Sequence, residues 1–251
     1  MSTAFDLSGR TAAVTGGGRG LGLGISSALL EAGADVIVVA RSPAAAELTA
    51  RADELGRQVH VVRLDLAHSE AIASAAQAVL STHRVDILVN NAGTQDRYPA
   101  IDFPLPAWDR IMDINLRAVF QLCQLFGAPM LERGHGKIVN LASLLSFQGG
   151  MTVPAYAASK GAVAQLTKAL CNEWAGRGVN VNAIAPGYMN TDMNAALLAD
   201  TRRLEQLSTR IPAGRWGQPQ DIGDVVVFLA SNAAAYVHGQ VLAVDGGWMA
   251  R

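Results

Sequence analysis

The chain has 251 residues, half of them hydrophobic, with 20 Lys and Arg against 21 Asp and Glu and a formal net charge of −1. This excludes intrinsic disorder, allows a large core in one α/β domain, and gives no footing for a nucleic-acid partner. Cys123 and Cys171 show neither metal-ligand spacing nor an evident disulfide role, which fits a reducing cytoplasm; no apolar run is long enough to cross a bilayer, and Met1–Arg10 lacks the apolar stretch of a secretory signal.

Thr11–Thr15 is a short apolar run that reads as a strand. The glycines Gly16, Gly17, Gly18, Gly20, Gly22 and Gly24 follow, and a helical pattern over Leu21–Ala32 ends at Gly33. Asp35–Ala40 is a second strand, followed by helix Ala44–Leu55, strand Val59–Leu64, helix Glu70–Thr82 and strand Asp86–Asn90. A helical stretch near Ala107–Glu132 precedes strand Lys137–Leu141. Helix Ala155–Ala175 precedes strand Asn180–Ile184, and helix Gln220–Ala230 precedes a seventh strand, Val241–Val244. Continuous apolar strands alternating with helices predict a parallel sheet covered on both faces. Right-handed crossovers make this a single-domain, Rossmann-type, doubly wound fold. Thr191–Gly214 is polar and breaks the strand–helix rhythm. A substrate lid near residues 189–214, following Pro186-Gly187, is expected there; a pair of surface helices is the alternative.

The turn after the first strand reads Thr15-Gly16-Gly17-Gly18-Arg19-Gly20-Leu21-Gly22. Glycines there permit positive φ and let the backbone approach a pyrophosphate at a helix N-terminus. The position between a strand and a helix makes a dinucleotide cofactor the expected ligand. NAD sites usually carry Asp or Glu at the end of the second strand. Here the strand ends Val39-Ala40-Arg41-Ser42. Arg41, helped by Arg19, can pair with a 2′-phosphate, so NAD(P) with a lean to NADP is expected. The other reading is that both arginines are solvated surface charges.

Tyr156 and Lys160 stand four residues apart at the start of a helical pattern and so share one face. A free phenol is too weak an acid to act as a base near neutral pH. A neighbouring ammonium, helped by the cationic nicotinamide, is expected to favour the phenolate, which can then exchange a proton with an alcohol or ketone as hydride is transferred. Ser143, just after a buried strand, can hydrogen-bond the substrate oxygen. Taken alone, a Tyr-x-x-x-Lys pair is more often a helix-surface pair. His60, His68, His83, His135 and His238 are scattered without ligand spacing, and no metal site is expected.

The wider pattern resembles the short-chain dehydrogenase/reductase family over nearly the whole chain. The pieces are TGGGRGLG (15–22), Asp65-Leu66, NNAG (90–93), Asn115, Ser143, Tyr156-x-x-x-Lys160 and PGYMNT (186–191), in the family's order. By that resemblance Asn115, Ser143, Tyr156 and Lys160 form a catalytic tetrad, with Asn115 linking Lys160 to solvent through a proton relay. It also implies a cofactor site of Gly16, Arg19, Gly20, Leu21, Gly22 and Arg41, with Asp65 and Leu66 at the adenine and Asn91, Ala92 and Gly93 along the channel. Tyr156 and Lys160 would contact the nicotinamide ribose region, and Pro186, Gly187, Met189 and Thr191 the carboxamide. On the residues alone, Asn90, Asn91 and Asn115 can equally be core or turn amides, and Asp65 can cap the helix that begins near Ser69.

Within the family, LASLLSFQGG (141–150), NVNAIAPGYMNT (180–191), RIPAGRWGQP (210–219) and VDGGWMAR (244–251) resemble a group that acts on sugar acids such as 2-dehydro-3-deoxy-D-gluconate. Such a substrate needs a cation and polar contacts. Arg97 is placed for the carboxylate and Gln148 and Met151 for the sugar chain, beside Ser143 and Tyr156; a plain surface role for Arg97 is equally open. That group usually uses NAD, against the lean from Arg41. Gluconate 5-dehydrogenation is an alternative. So is 3-oxoacyl-carrier-protein reduction, with Arg202, Arg203 and Arg210 as a basic docking patch. A silent cofactor-sensing protein would require loss of tetrad members, and all are present. The family also implies a homotetramer built on the helices around Ala107–Glu132 and Ala155–Ala175, where Leu116, Val119, Phe120, Leu122 and Phe126 place apolar groups on more than one face. The C-terminal Gly246–Arg251 is expected at such an interface.

Overall fold

Seven strands form one parallel sheet: β1 (Thr11–Thr15), β2 (Asp35–Ala40), β3 (Val59–Arg63), β4 (Ile87–Asn90), β5 (Gly136–Leu141), β6 (Val179–Pro186) and β7 (Val241–Val244). Their spatial order is β3-β2-β1-β4-β5-β6-β7, so the winding reverses between β1 and β4. The computed structural model describes residues 3–194, 197 and 199–251. The helices between the strands are α1 (Gly20–Glu31), α2 (Ala46–Leu55), α3 (Ser69–Thr82), α4 (Leu105–Met112), α5 (Ala118–Arg133), α6 (Pro154–Trp174), α7 (Thr201–Ser208) and α8 (Pro219–Ala230). Among the described residues no helix is long and apolar enough to cross a membrane.

Alternation along each strand divides the core in two. Ala13, Ile37, Leu88 and Ile138 face Ile72 of α3, Phe126 of α5 and Val163 of α6. Their neighbours Val14, Val38, Val89 and Val139 face Ile25 and Leu29 of α1, Leu48 of α2 and Val226 of α8. Because both faces are covered, the central strands are predominantly apolar, and this is why they read as nearly continuous hydrophobic runs. Truncating a side chain such as Leu29, which is fully buried, to Ala would cost about 2–5 kcal/mol.

Two expectations change in detail. The stretch read as one helix from Ala107 to Glu132 is α4 and α5 joined by a π-helical turn at Asp113–Arg117. The sixth strand runs through Pro186, where it pairs with Val244. That extends it beyond Ile184, because Pro186 pairs with an edge strand and needs no donor.

Candidate functional site

The carboxyl ends of β1 and β4 lie at the point where the winding reverses, and there the sheet opens into a crevice. The glycine turn fills one side of it. Gly16 holds φ +65°. Gly22 lies so close to the turn's own backbone that a Cβ would sit 2.0 Å from the Gly16 carbonyl oxygen. No side chain caps α1, leaving its first N–H groups available to an anion. Asn91 ties the far side down: its Nδ2 donates to the Thr15 carbonyl at 2.9 Å, and Ala92 N donates to Thr15 Oγ1 at 3.0 Å. Thr191 borders Gly20 from the loop after β6. A cradle too tight for side chains, with a free helix end, fits a pyrophosphate-bearing dinucleotide.

At the outer end of the crevice Arg41 follows β2 with its side chain 68% exposed, 3.9 Å from Asp65. So long and exposed a pair is weak and leaves the guanidinium free for a better partner. Asp65 Oδ1 accepts from Ala67 N at 3.0 Å. It is not the cap of α3, whose N-cap position is His68. Leu66 is buried, and Arg19 is exposed at the start of α1.

Asn115 sits in the π-helical turn, completely buried. Its Oδ1 accepts from Thr94 N at 2.8 Å, and its Nδ2 donates to the Thr94 carbonyl at 2.9 Å and to Ser159 Oγ at 3.1 Å. A π turn costs regular helix bonding and tends to mark functional positions. Here it aims one amide at the loop after β4 and at α6 together. Lys160 is 4% exposed, and its Nζ donates to the Leu141 carbonyl. Ser143 caps a short 3-10 turn, accepting from Leu145 N at 3.2 Å. Ser146 Oγ, next along that turn, donates to the Lys160 carbonyl at 2.7 Å. Tyr156 hydrogen-bonds the Ser143 side chain, and its ring centroid lies 5.8 Å from Lys160 Nζ.

The four side chains therefore converge, and burial acts on the charges of two of them. Burial pushes the Tyr156 pKa up, opposed by the Ser143 hydrogen bond. Burial also pulls Lys160 down from 10.5 to about 8. Desolvation penalises both charged forms before the two groups act on each other. Ser159, Ser146 and the Thr94 backbone, which brace the tetrad, carried no signal in the sequence beyond standing next to it. Asn90 is a core amide: its Nδ2 donates to Asn140 Oδ1 at 2.9 Å and to Cys123 Sγ at 3.3 Å, away from the crevice.

Arg97 and the segment Gln148–Met151 lie on two loops joined by a hydrogen bond from Tyr98 N to the Thr152 carbonyl. Arg97 and Gln148 are exposed, and Met151 is 85% exposed. Pro186 ends β6, and Gly187 N donates to the Val244 carbonyl at 2.9 Å. The Met189 side chain is 3% exposed, packed in the core and against Gly217, which leaves its backbone to face the crevice.

The expected lid spans residues 189–214, of which Ala195, Ala196 and Leu198 lie outside the described residues. Its Leu207 and Ile211 pack with Trp216, Leu144 and Trp248. Tyr188 stacks at 4.7 Å on Trp248 and at 5.3 Å on Trp216. The C-terminal segment thus folds onto its own chain. Arg210 lies 4.0 Å over the Trp248 ring. It stays exposed there as a cation–π partner. Among the described residues no group of three or more His, Cys, Asp or Glu can hold a metal.

Residues 16–249 match the family described as enoyl-(acyl carrier protein) reductase. The chain is 52% identical over 251 residues to 2-dehydro-3-deoxy-D-gluconate 5-dehydrogenase of Bacillus subtilis, covering 100% of this chain and 99% of that protein. A crystal structure from Beutenbergia cavernae, described as a candidate NAD(P)-dependent gluconate 5-dehydrogenase with NADP at low occupancy, is 51% identical with a TM-score of 0.95, covering 99% of this chain and 100% of that one. One from Agrobacterium tumefaciens, described as a candidate 2-deoxy-D-gluconate 3-dehydrogenase with bound NADP, is 47% identical with a TM-score of 0.93, covering 100% of both chains. With likeness along the full length and the convergence of Tyr156, Lys160, Ser143 and Asn115 at the crevice, the chain belongs to the short-chain dehydrogenase/reductase family, NAD(P)-dependent enzymes that act on CH–OH groups.

Proposed function

We propose that the protein is an NADP-dependent sugar-acid oxidoreductase that interconverts a secondary alcohol and a ketone at carbon 5 of 2-dehydro-3-deoxy-D-gluconate. The observation that carries this reading is 52% identity over the full length to a dehydrogenase of that substrate. A nicotinamide cofactor, when bound, takes up or returns the hydride of the carbinol carbon. Tyr156 holds the proton at the substrate oxygen, accepting it in oxidation and donating it in reduction. Ser143 orients that oxygen. Lys160 supplies positive charge beside the phenol and, with Asn115 and the Thr94 backbone, opens a route for the proton to leave. The glycine turn and α1 would hold the pyrophosphate, Asp65 and Leu66 the adenine, and Lys160 the nicotinamide ribose.

The preference for NADP is supported by Arg41, whose guanidinium has only a distant carboxylate, and by the absence of an acidic residue at the end of β2. Arg97 is our candidate for the substrate carboxylate, with Gln148 and Met151 along the chain of hydroxyls and residues 189–214 as the lid. Gluconate 5-dehydrogenation is the second reading, favoured by the description of the Beutenbergia cavernae structure.

We also propose a homotetramer in the cytoplasm. A groove of about 310 Å³ lined by Met112, Leu116, Phe120 and Leu166 supports self-association across α5 and α6, with Phe120 41% exposed. Two free, buried cysteines fit a reducing compartment. The test is nicotinamide absorbance with NAD and NADP in parallel, against gluconate, 2-dehydro-3-deoxy-D-gluconate, their 5-keto forms and a short 3-oxoacyl thioester. Turnover of the deoxy sugar acid is expected; turnover of the thioester alone would overturn the reading.

A further inference from the structure

At the end of the sheet opposite the glycine turn, three loops meet: those leading into β1, β4 and β5. They carry Arg10, Arg84 with Asp86, and His135. With His83 at the end of α3 they line a polar cavity of about 430 Å³. That is the size of a small-molecule site, and nothing in the reaction above uses it.

The charges around this cavity do not cancel. Asp86 is almost fully buried and already engaged: Oδ1 accepts from Arg84 Nε at 2.9 Å and Oδ2 from Thr11 N at 3.3 Å. Arg10 has neutral partners, donating from Nη2 to Asn232 Oδ1 at 2.9 Å and from Nη1 to His135 Nε2 at 3.3 Å. The second bond makes Nε2 the acceptor, so His135 is neutral with its proton on Nδ1. Behind it Lys137, 3% exposed, donates to the neutral Asn180 Oδ1 at 3.0 Å. Among the described residues neither Arg10 nor Lys137 forms an ion pair.

The arrangement is strained by its own charge. Burial first and Arg10 second pull the Lys137 pKa from 10.5 to about 8. Burial, then Arg10 and Lys137, lower that of His135, with Asp86 opposing. Cations gathered at a cavity without matching carboxylates cost stability, and an anion would remove that cost. Arg84, whose side chain is 64% exposed, uses only Nε on Asp86 and keeps its remaining donors for a second partner.

We propose that this cavity binds a small organic anion carrying two or more negative charges, phosphorylated or polycarboxylate, held by Arg10 and Arg84 with His135 beside them. The concave shape and its volume select a small molecule over a flat macromolecular surface. The anion would sit at the opposite end of the strands from the nicotinamide crevice and bind together with the cofactor.

The experiment uses protein saturated with its nicotinamide cofactor, so that phosphate-binding groups in the crevice are filled. Inorganic phosphate and citrate are titrated in turn at constant ionic strength against chloride, following the thermal midpoint and the His135 ring resonances. A saturable rise of a few degrees with a shift of His135 is expected. Response to phosphate alone assigns the phosphorylated class, and to citrate alone the polycarboxylates. Arg84→Gln, a change at an exposed side chain, and Arg10→Gln should each weaken binding about tenfold or more. The proposal is overturned if neither anion exceeds chloride, or if Arg84→Gln binds as well as the native protein.

Discussion

Tyr98 N donates to the Thr152 carbonyl, joining the loop after β4 to the loop that follows the Ser143 turn. Thr152 holds φ +64°, an uncommon conformation for a side chain branched at Cβ. The two loops are thereby held as one wall beside Tyr156, with Arg97 on one and Met151 on the other. If Arg97 meets the substrate carboxylate, a charge-assisted contact worth about 1.5–3 kcal/mol is at stake. Arg97→Ala should then raise KM for a sugar acid about tenfold or more, with kcat little changed and KM for a neutral polyol unmoved. Equal KM changes for both substrates would remove Arg97 from the carboxylate site.

Arg41 reads the cofactor if it leaves its 3.9 Å contact with Asp65 for a 2′-phosphate. Arg41→Asp replaces attraction by repulsion at that phosphate alone. The Kd for NADPH should rise about a hundredfold while that for NADH stays within a few fold, as measured by fluorescence titration. A parallel loss for both would mean that Arg41 supports the loop without reading the phosphate.

Tyr156→Phe removes the proton-transfer group and keeps the ring. Turnover should fall about 10²–10⁴-fold with NADPH binding preserved. If Tyr156 is the acid/base, oxidation requires its phenolate to accept the alcohol proton, and burial has raised its pKa. Oxidation should therefore accelerate steadily as pH rises through the alkaline range, whereas reduction should stay flat until the raised pKa is approached. Lys160→Met should move the oxidation limb to higher pH. A rate independent of pH in both directions would rule out Tyr156 as the acid/base.

Lys137 gives a stability test with a definite sign. Below about pH 8 the folded and unfolded chains both hold its proton, and the burial cost is present in full. Between about 8 and 10.5 the unfolded chain keeps a proton that the folded chain has released. Stability therefore rises with pH in that window. Relative to Lys137→Met, the native protein should gain about 1–2 kcal/mol between pH 7.5 and 9.5 in urea denaturation without added phosphate. Parallel stability curves would show that Lys137 keeps an ordinary pKa.

The alternation of apolar runs with helical stretches was enough to place seven strands and the helices that cover them, because a doubly covered parallel sheet makes its central strands mostly apolar. Motif order was enough to single out Tyr156, Lys160, Ser143, Asn115 and the glycine turn as candidates, which the fold brings to one crevice. These residues do local work whose chemical demands show in the residue type. The tertiary structure decided what pattern does not carry. The π turn that holds Asn115 is a matter of backbone hydrogen bonding, which residue type does not announce. Met189 and Asn90, which sit inside matching motifs, turn their side chains into the core. Arg210 lies over Trp248, some forty residues further along. The cluster of Arg10, Arg84, His135 and Lys137 comes from loops far apart in the chain, brought together because parallel strands return every connection to the same end of the sheet. Sequence determined residue type and element order; proximity between distant segments, and with it burial, charge balance and pKa, existed only once the chain had folded.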